Sequence, residues 1–185
     1  MALTEHTLDS EQLLEGGFLR VYRDRVRLPD GSEERREYIA HPGAVAVLPL
    51  TEAGELVLVR QYRYPVRQTF LEIPAGKIDA GEAWLATAQR ELLEETGYTA
   101  RRWHALPVAH PCIGYSDEKI AYFVAEGLIA GDSQPDEGEF VEVEHLPLTE
   151  VIARAQRGEL SDSKTLTGLF WLQAWQSGML RSEPL

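Results

Sequence analysis

The stretch that most limits what this chain can fold into runs from Leu71 to Tyr98, LEIPAGKIDAGEAWLATAQRELLEETGY. Its first half, residues 71–82, is broken by Pro74, Gly76 and Gly81 and reads as a loop. Its second half, from about Ala83 to Thr96, is built of strong helix formers and stops at Gly97, where a helix C-cap belongs. At about 3.6 residues per turn, Leu85, Ala88 and Leu92 share the stripe that packs on a sheet. Glu91 and Glu95 then fall on its flank, at the rim of the core, and Glu94 lies further out. Carboxylates at i, i+3 and i+4 repel one another. They either solvate a surface helix or await a cation, and a hard divalent ion with oxygen ligands, Mg²⁺ or Mn²⁺, is the natural compensating charge.

Composition narrows the class. Of 185 residues 44% are hydrophobic and 26% charged, as in a soluble globular chain with a real core. Acidic residues outnumber basic ones by 30 to 18, a net charge of -12, which argues against a nucleic-acid binder held by phosphate contacts. Local basic residues can still meet a small phosphorylated ligand. The single cysteine, Cys112, rules out an intrachain disulfide, fits a reducing compartment and reads as a small buried hydrophobe. No run approaches the roughly 18 apolar residues of a membrane span, and MALTEHTLDSEQ is too polar for a signal peptide, so the expected location is cytoplasmic, away from membranes.

Residues 17–40 read as two strands joined through Asp30-Gly31, a dipeptide suited to a tight hairpin. Rich in arginine and aromatics, this hairpin makes a poor core by itself; it is either a bland surface feature or a dimer-forming, ligand-covering arm. We therefore expect an arm over 1–42 and one domain over 43–185. Residues 43–50 and 54–62 are valine-rich buried strands. Further strands are expected over 104–110, 119–128 and from Phe140, the last preceded by the acidic loop AGDSQPDEGE. Helices are expected over 148–158 and 163–178, the second presenting Leu166, Leu169, Phe170, Leu172 and Trp175 as its apolar face. His41 and His110, at strand-loop borders, read as hydrogen-bonded structural residues before ligands or bases. Trp84, Trp103, Trp171 and Trp175 read as packing.

Gly76, five residues, Glu82, seven residues, Arg90-Glu91, Leu92, Glu94-Glu95, Gly97 and Tyr98 together reproduce the pattern GX5EX7REUXEEXGU. On these residues the chain resembles the Nudix hydrolases. The resemblance implies an α/β (α+β) fold, an α/β/α sandwich around a mixed sheet with the N-terminal antiparallel hairpin appended. It also implies metal-dependent hydrolysis of a nucleoside diphosphate linked to another group. Glu91 and Glu95 would bind the metals, with Glu94 close by and the carbonyl of Ala75 as a backbone ligand. Arg90 would orient the acidic cluster and Glu82 would brace the loop.

VRQYRYPV, LEIPAGKID, GYSDE and PDEGEFVEV resemble, more narrowly, the segments that accompany the box in ADP-ribose pyrophosphatases. That likeness implies Glu137 as the base and Glu139 as a further ligand, or the two exchanged. It implies Arg63 on the phosphates, Arg36 and Glu37 at the nucleotide end, and Lys77, Ile113, Gly114 and Glu118 on the terminal ribose. Phe18 or Tyr22 would stack on adenine, and the arm would make a homodimer. One departure stands out: where that group often has proline in a stretch like SPG, this chain has Cys112-Ile113-Gly114, with Pro111 two positions early. The expected reaction is Mg²⁺-dependent cleavage of ADP-ribose to AMP and ribose 5-phosphate. The alternatives are another sugar nucleotide such as GDP-mannose, or a catalytically idle nucleotide sensor, against which the intact Glu91, Glu94, Glu95 and Glu137 weigh.

Overall fold

Exposed cross-strand ion pairs lace the N-terminal strands. The computed structural model describes residues 3–133, 138, 140–182 and 185. They divide into two units, Met1–Gly43 with His110–Lys119, and Ala44–Ala109 with Ile120–Leu185. In the first unit, β1 (His6–Glu15), β2 (Arg20–Arg27) and β3 (Glu33–Ala40) form a three-stranded antiparallel sheet. Arg25 of β2 bonds Asp9 of β1 and Glu33 of β3, and Tyr22 stacks on its cross-strand partner Tyr38 at 5.7 Å. The expected turn is present: Gly31 takes φ 90° and Asp30 accepts from the Ser32 amide. β1 was not expected, because HTLDSEQLLE has no buried face to mark it; every side chain but that of Leu8 is exposed. Within the same unit the 110–119 segment adds to β3, where the Ile39 amide donates to the Tyr115 carbonyl at 2.8 Å and the His41 amide to Asp117 at 2.7 Å.

The second unit is built on a seven-stranded sheet with central order β10-β5-β4-β9-β8. Its strands are β4 (Ala44–Leu50), β5 (Glu55–Arg63), β6 (Gln68–Glu72), β7 (Ala75–Lys77), β8 (Tyr98–Ala105), β9 (Ile120–Ala130) and β10 (Val141–Pro147). A short 3-10 turn, Tyr64–Val66, follows β5. β4 and β9 run parallel and the other pairs antiparallel, which makes the sheet mixed. Both faces are covered, so β4 and β5 read as unbroken apolar runs. On one face Val45 and Val47 pack with Ala88 and Leu92 of α1 (Trp84–Thr96). On the other, Ala46, Leu48 and Leu58 pack with Val151 of α2 (Leu148–Gln156) and with Leu169 and Leu172 of α3 (Ser163–Gln176). The expected mixed α+β sandwich is what forms.

Three expectations are corrected in detail. The strand sought at 104–110 begins at Tyr98, because Gly97 turns the helix straight into β8 and Pro107 lies beyond its end. Residues 71–82 are not wholly loop: β6 ends at Glu72, and β7 pairs with β4, Gly76 opposite Val45. The buried stripe of α3 is Thr165, Gly168, Leu169, Leu172 and Ala174, with Leu166 and Phe170 exposed. Small residues let the helix close on the sheet, and a Cβ at Gly168 would come within 2.9 Å of Ile73. Trp84 is likewise exposed, whereas Trp103 is core. Cys112 is half-buried and accepts from the Tyr115 hydroxyl. Among the described residues no helix is long and apolar enough to cross a membrane.

Candidate active site

The loop from Ile73 to Glu82 and the helix that follows it bring three elements of the second unit to one place. Ala75 and Gly76 are held as β7 against β4, and α1 lays its Glu91–Glu95 face over them. The carboxyl of Glu91 lies so close to the Gly76 α-carbon that a Cβ there would fall 1.9 Å from it. Only glycine permits that approach. The Ala75 amide donates to Glu95 Oε2 at 3.0 Å. Glu91 and Glu95 are therefore deeper than the rim expected for them, 8% and 2% exposed, while Glu94 is half-buried.

Arg90 is the hub of the acidic face. Its Nη1 donates to Glu91 Oε1 and to Glu94 Oε2, both at 2.8 Å, while Nε and Nη2 fork onto Glu82 at 3.1 and 3.0 Å. Nη2 also reaches the Lys77 carbonyl at 3.3 Å, and Thr87 donates to Glu82 from the helix. One guanidinium thus joins the loop, the helix start and two of the glutamates. The Arg90 hydrogen bonds hold the Glu82 carboxyl down at about 2, and Glu82 in turn lifts Arg90 above the usual arginine range.

Oxygen-only donors of this kind suit a hard divalent cation. Among the described residues no three acidic, histidine or cysteine side chains are gathered into a ready cage, and Arg90 Nη1 bonds both Glu91 and Glu94. What fits the metal is the donor chemistry together with the cradle at Gly76, which a single added carbon would fill.

The other expected residues divide between the units. Arg63, at the end of β5, and Lys77, exposed in β7, belong to the second; Arg63 forks onto the buried Glu72 at 2.9 and 2.7 Å. Arg36, Glu37, Ile113, Gly114 and Glu118 belong to the first. There Arg36 forks onto Glu5, Glu37 pairs with Arg23, Ile113 and Gly114 are exposed, and Glu118 lies 3.9 Å from His41. Phe18 meets the His41 ring edge-on. Glu137 and Glu139 lie outside the described residues. The sequence reading passed over Glu72, although a lone carboxylate inside the apolar run Leu71-Glu72-Ile73-Pro74 was a usable signal.

Two family models match the chain: the NUDIX domain over residues 40–168 and the nucleoside diphosphate sugar hydrolase N-terminal domain over 5–39. An ADP-ribose pyrophosphatase of Bacillus subtilis (strain 168) is 40% identical over 174 residues, 93% of this chain and 94% of that protein. A methanol dehydrogenase activator of Bacillus methanolicus is 39% identical over 171 residues, 91% of this chain and 92% of that one. A crystal structure of an ADP compounds hydrolase shares the fold, with a TM-score of 0.86 at 23% identity over 97% of this chain and 98% of its own. With the family model spanning most of the chain and the glycine cradle and acidic helix lying inside it, the chain belongs to the Nudix hydrolases.

Proposed function

We propose that this protein hydrolyses the diphosphate bond of ADP-ribose, releasing AMP and ribose 5-phosphate, with Mg²⁺, or Mn²⁺ in its place, held at Glu91, Glu94, Glu95 and the Ala75 carbonyl. The observation that carries the reading is the convergence of Glu91 on Gly76 and of Glu95 on the Ala75 amide, which sets two buried carboxylates against the backbone of one loop. The ADP-ribose pyrophosphatase name of the 40% identical relative supports the substrate.

Water attacks one phosphorus of the diphosphate; a P–O bond forms to the water oxygen, and the bridging P–O bond breaks with its electron pair leaving on the departing phosphate. The divalent ion, when bound, offsets charge on the phosphate oxygens and acidifies the attacking water. Arg90 fixes the carboxylates that hold it, through the bonds to Glu82, Glu91 and Glu94. Glu137 is proposed to take the proton from the water and Glu139 to add a ligand, their exchange being the variant of the same reading. Arg63 is proposed to meet the phosphates with its planar fork, and Lys77 the terminal ribose. Arg36 and Glu37, and Ile113, Gly114 and Glu118, are proposed as further substrate contacts, and the chain is proposed to be a cytoplasmic homodimer.

The test is to incubate the protein and Mg²⁺ with ADP-ribose, GDP-mannose, NADH and diadenosine polyphosphates and to separate the products by chromatography. We expect AMP and ribose 5-phosphate from ADP-ribose in preference to the rest, and no turnover in excess EDTA. Glu95→Gln should lower kcat/KM by at least about a hundredfold, since even partners of metal ligands commonly cost 10–100-fold. Preferential cleavage of GDP-mannose would overturn the substrate, and intact substrates throughout would overturn the enzyme.

A further inference from the structure

Glu72 is a carboxylate placed where a carboxylate is costly. It is 1% exposed, with Leu71 and Ile73 buried on either side of it in sequence. A buried charge persists only when it is paired and hydrogen-bonded. Arg63 Nε and Nη2 donate to its two oxygens at 2.9 and 2.7 Å, and the Lys164 ammonium donates to Oε2 as well. Lys164 is held in turn by Asp162 at 2.9 Å. Asp162 is the N-cap of α3, accepting from the Thr165 amide at 3.0 Å and the Thr165 hydroxyl at 2.6 Å. The same hydroxyl oxygen accepts from the Ile73 amide at 3.0 Å. Two cations and two carboxylates thus run without a break from the start of α3 to the last residue of β5.

We infer that Glu72 is the positioning residue for Arg63: it occupies the Nε–Nη2 edge of the guanidinium and turns the edge bearing Nη1 toward the substrate diphosphate. Lys164 makes this workable. It gives Glu72 Oε2 a second donor that Asp162 holds in place, so the buried carboxylate is fixed from two sides and the four groups together balance in charge. A planar guanidinium pinned along one edge keeps a fixed aim, so its phosphate contact costs little ordering on binding. The inference rests on the proposed reading of Arg63 as a phosphate contact.

The experiment is steady-state kinetics on ADP-ribose with the full-length, Mg²⁺-loaded protein for Arg63→Lys, Glu72→Gln and the double variant, with Tm measured for each. Arg63→Lys should raise KM about tenfold with kcat within about twofold, because lysine keeps the charge and loses the fork. Glu72→Gln should raise KM about fivefold, and the double variant should be within about twofold of Arg63→Lys alone, the signature of two residues acting through one contact. A purely structural Glu72 would lower Tm and kcat and leave KM unchanged; that result, or effects that multiply in the double variant, overturns the inference while the hydrolase reading stands. If Arg63→Lys leaves KM unchanged, the Arg63 assignment fails and the inference with it, again without touching the reaction. A wild-type protein inert toward ADP-ribose overturns both. Should Glu72→Gln fail to fold, Lys164→Met decides: KM rising about threefold supports the inference, and KM unchanged overturns it.

Discussion

Gly76 shows how far one hydrogen atom in place of a methyl group determines this site. Its α-carbon is the floor on which the Glu91 carboxyl rests, and a Cβ would sit 1.9 Å from that carboxyl. Gly76→Ala must push Glu91 outward, away from the loop and from its bond to Arg90. Since misplacing a reacting geometry by about an ångström costs on the order of a hundredfold in rate, kcat on ADP-ribose should fall about that far. Circular dichroism and Tm, read alongside, should change little, because β7 lies at a loop and the apolar layers of the sheet are untouched. A Gly76→Ala protein of near wild-type kcat would show that Glu91 has no part in the chemistry. This residue and the glutamates facing it were legible in the sequence, because the spacing from Gly76 through Glu82 to Arg90 fixes loop and helix together. Their depth was not, since helix angles place a side chain on a face without saying what closes over it.

At the scale of elements, α3 is joined to the end of β6 by charge as well as by apolar packing. Burial raises the Asp162 and Glu72 carboxyls, but Lys164, with the Thr165 hydrogen bonds at Asp162 and Arg63 at Glu72, outweighs it and holds both below the ordinary carboxylate range. Carboxyls whose folded pKa lies below the unfolded one add stability that is full above the unfolded value of about 4 and disappears as pH falls through the folded value. Asp162→Ala removes an N-cap and unpairs part of this chain of charges, so it should cost about 2 kcal/mol at neutral pH by urea unfolding. The gap to wild type should narrow as the pH falls below the unfolded-state value of about 4 and through the lowered folded values. A gap independent of pH would mean that the cap acts through neutral hydrogen bonds alone. None of this was readable beforehand: Lys164 and Glu72 are far apart in sequence, and only the odd carboxylate in an apolar run hinted at a partner. The apolar strands were legible because two covered faces leave no polar alternation. β1 was not, having no buried side to leave a pattern, and the face of α3 was misjudged because its contact is made through Gly168 and Ala174 rather than through its largest residues.

For the molecule as a whole, the proposed homodimer predicts a sedimenting species of twice the chain mass at micromolar concentration. Sedimentation equilibrium at one chain mass would leave the N-terminal strands as a feature of the monomer. The sheet of the second unit carries a different consequence. Its centre is the parallel pair in which Ala44 lies beside Ile120 and Leu50 beside Glu126. Everything that forms the acidic cradle, from Ala75 through Glu95, lies in sequence between those two strands. During synthesis, then, β4 leaves the ribosome long before the strand that completes its far edge, whereas β1, β2 and β3 can pair with their immediate neighbours as soon as they emerge. Long-range parallel pairing is slow to form. The cradle accordingly belongs to the late stages of folding, and a nascent chain cut short before Ile120 would carry every helical glutamate of the site on a sheet that cannot yet close around them.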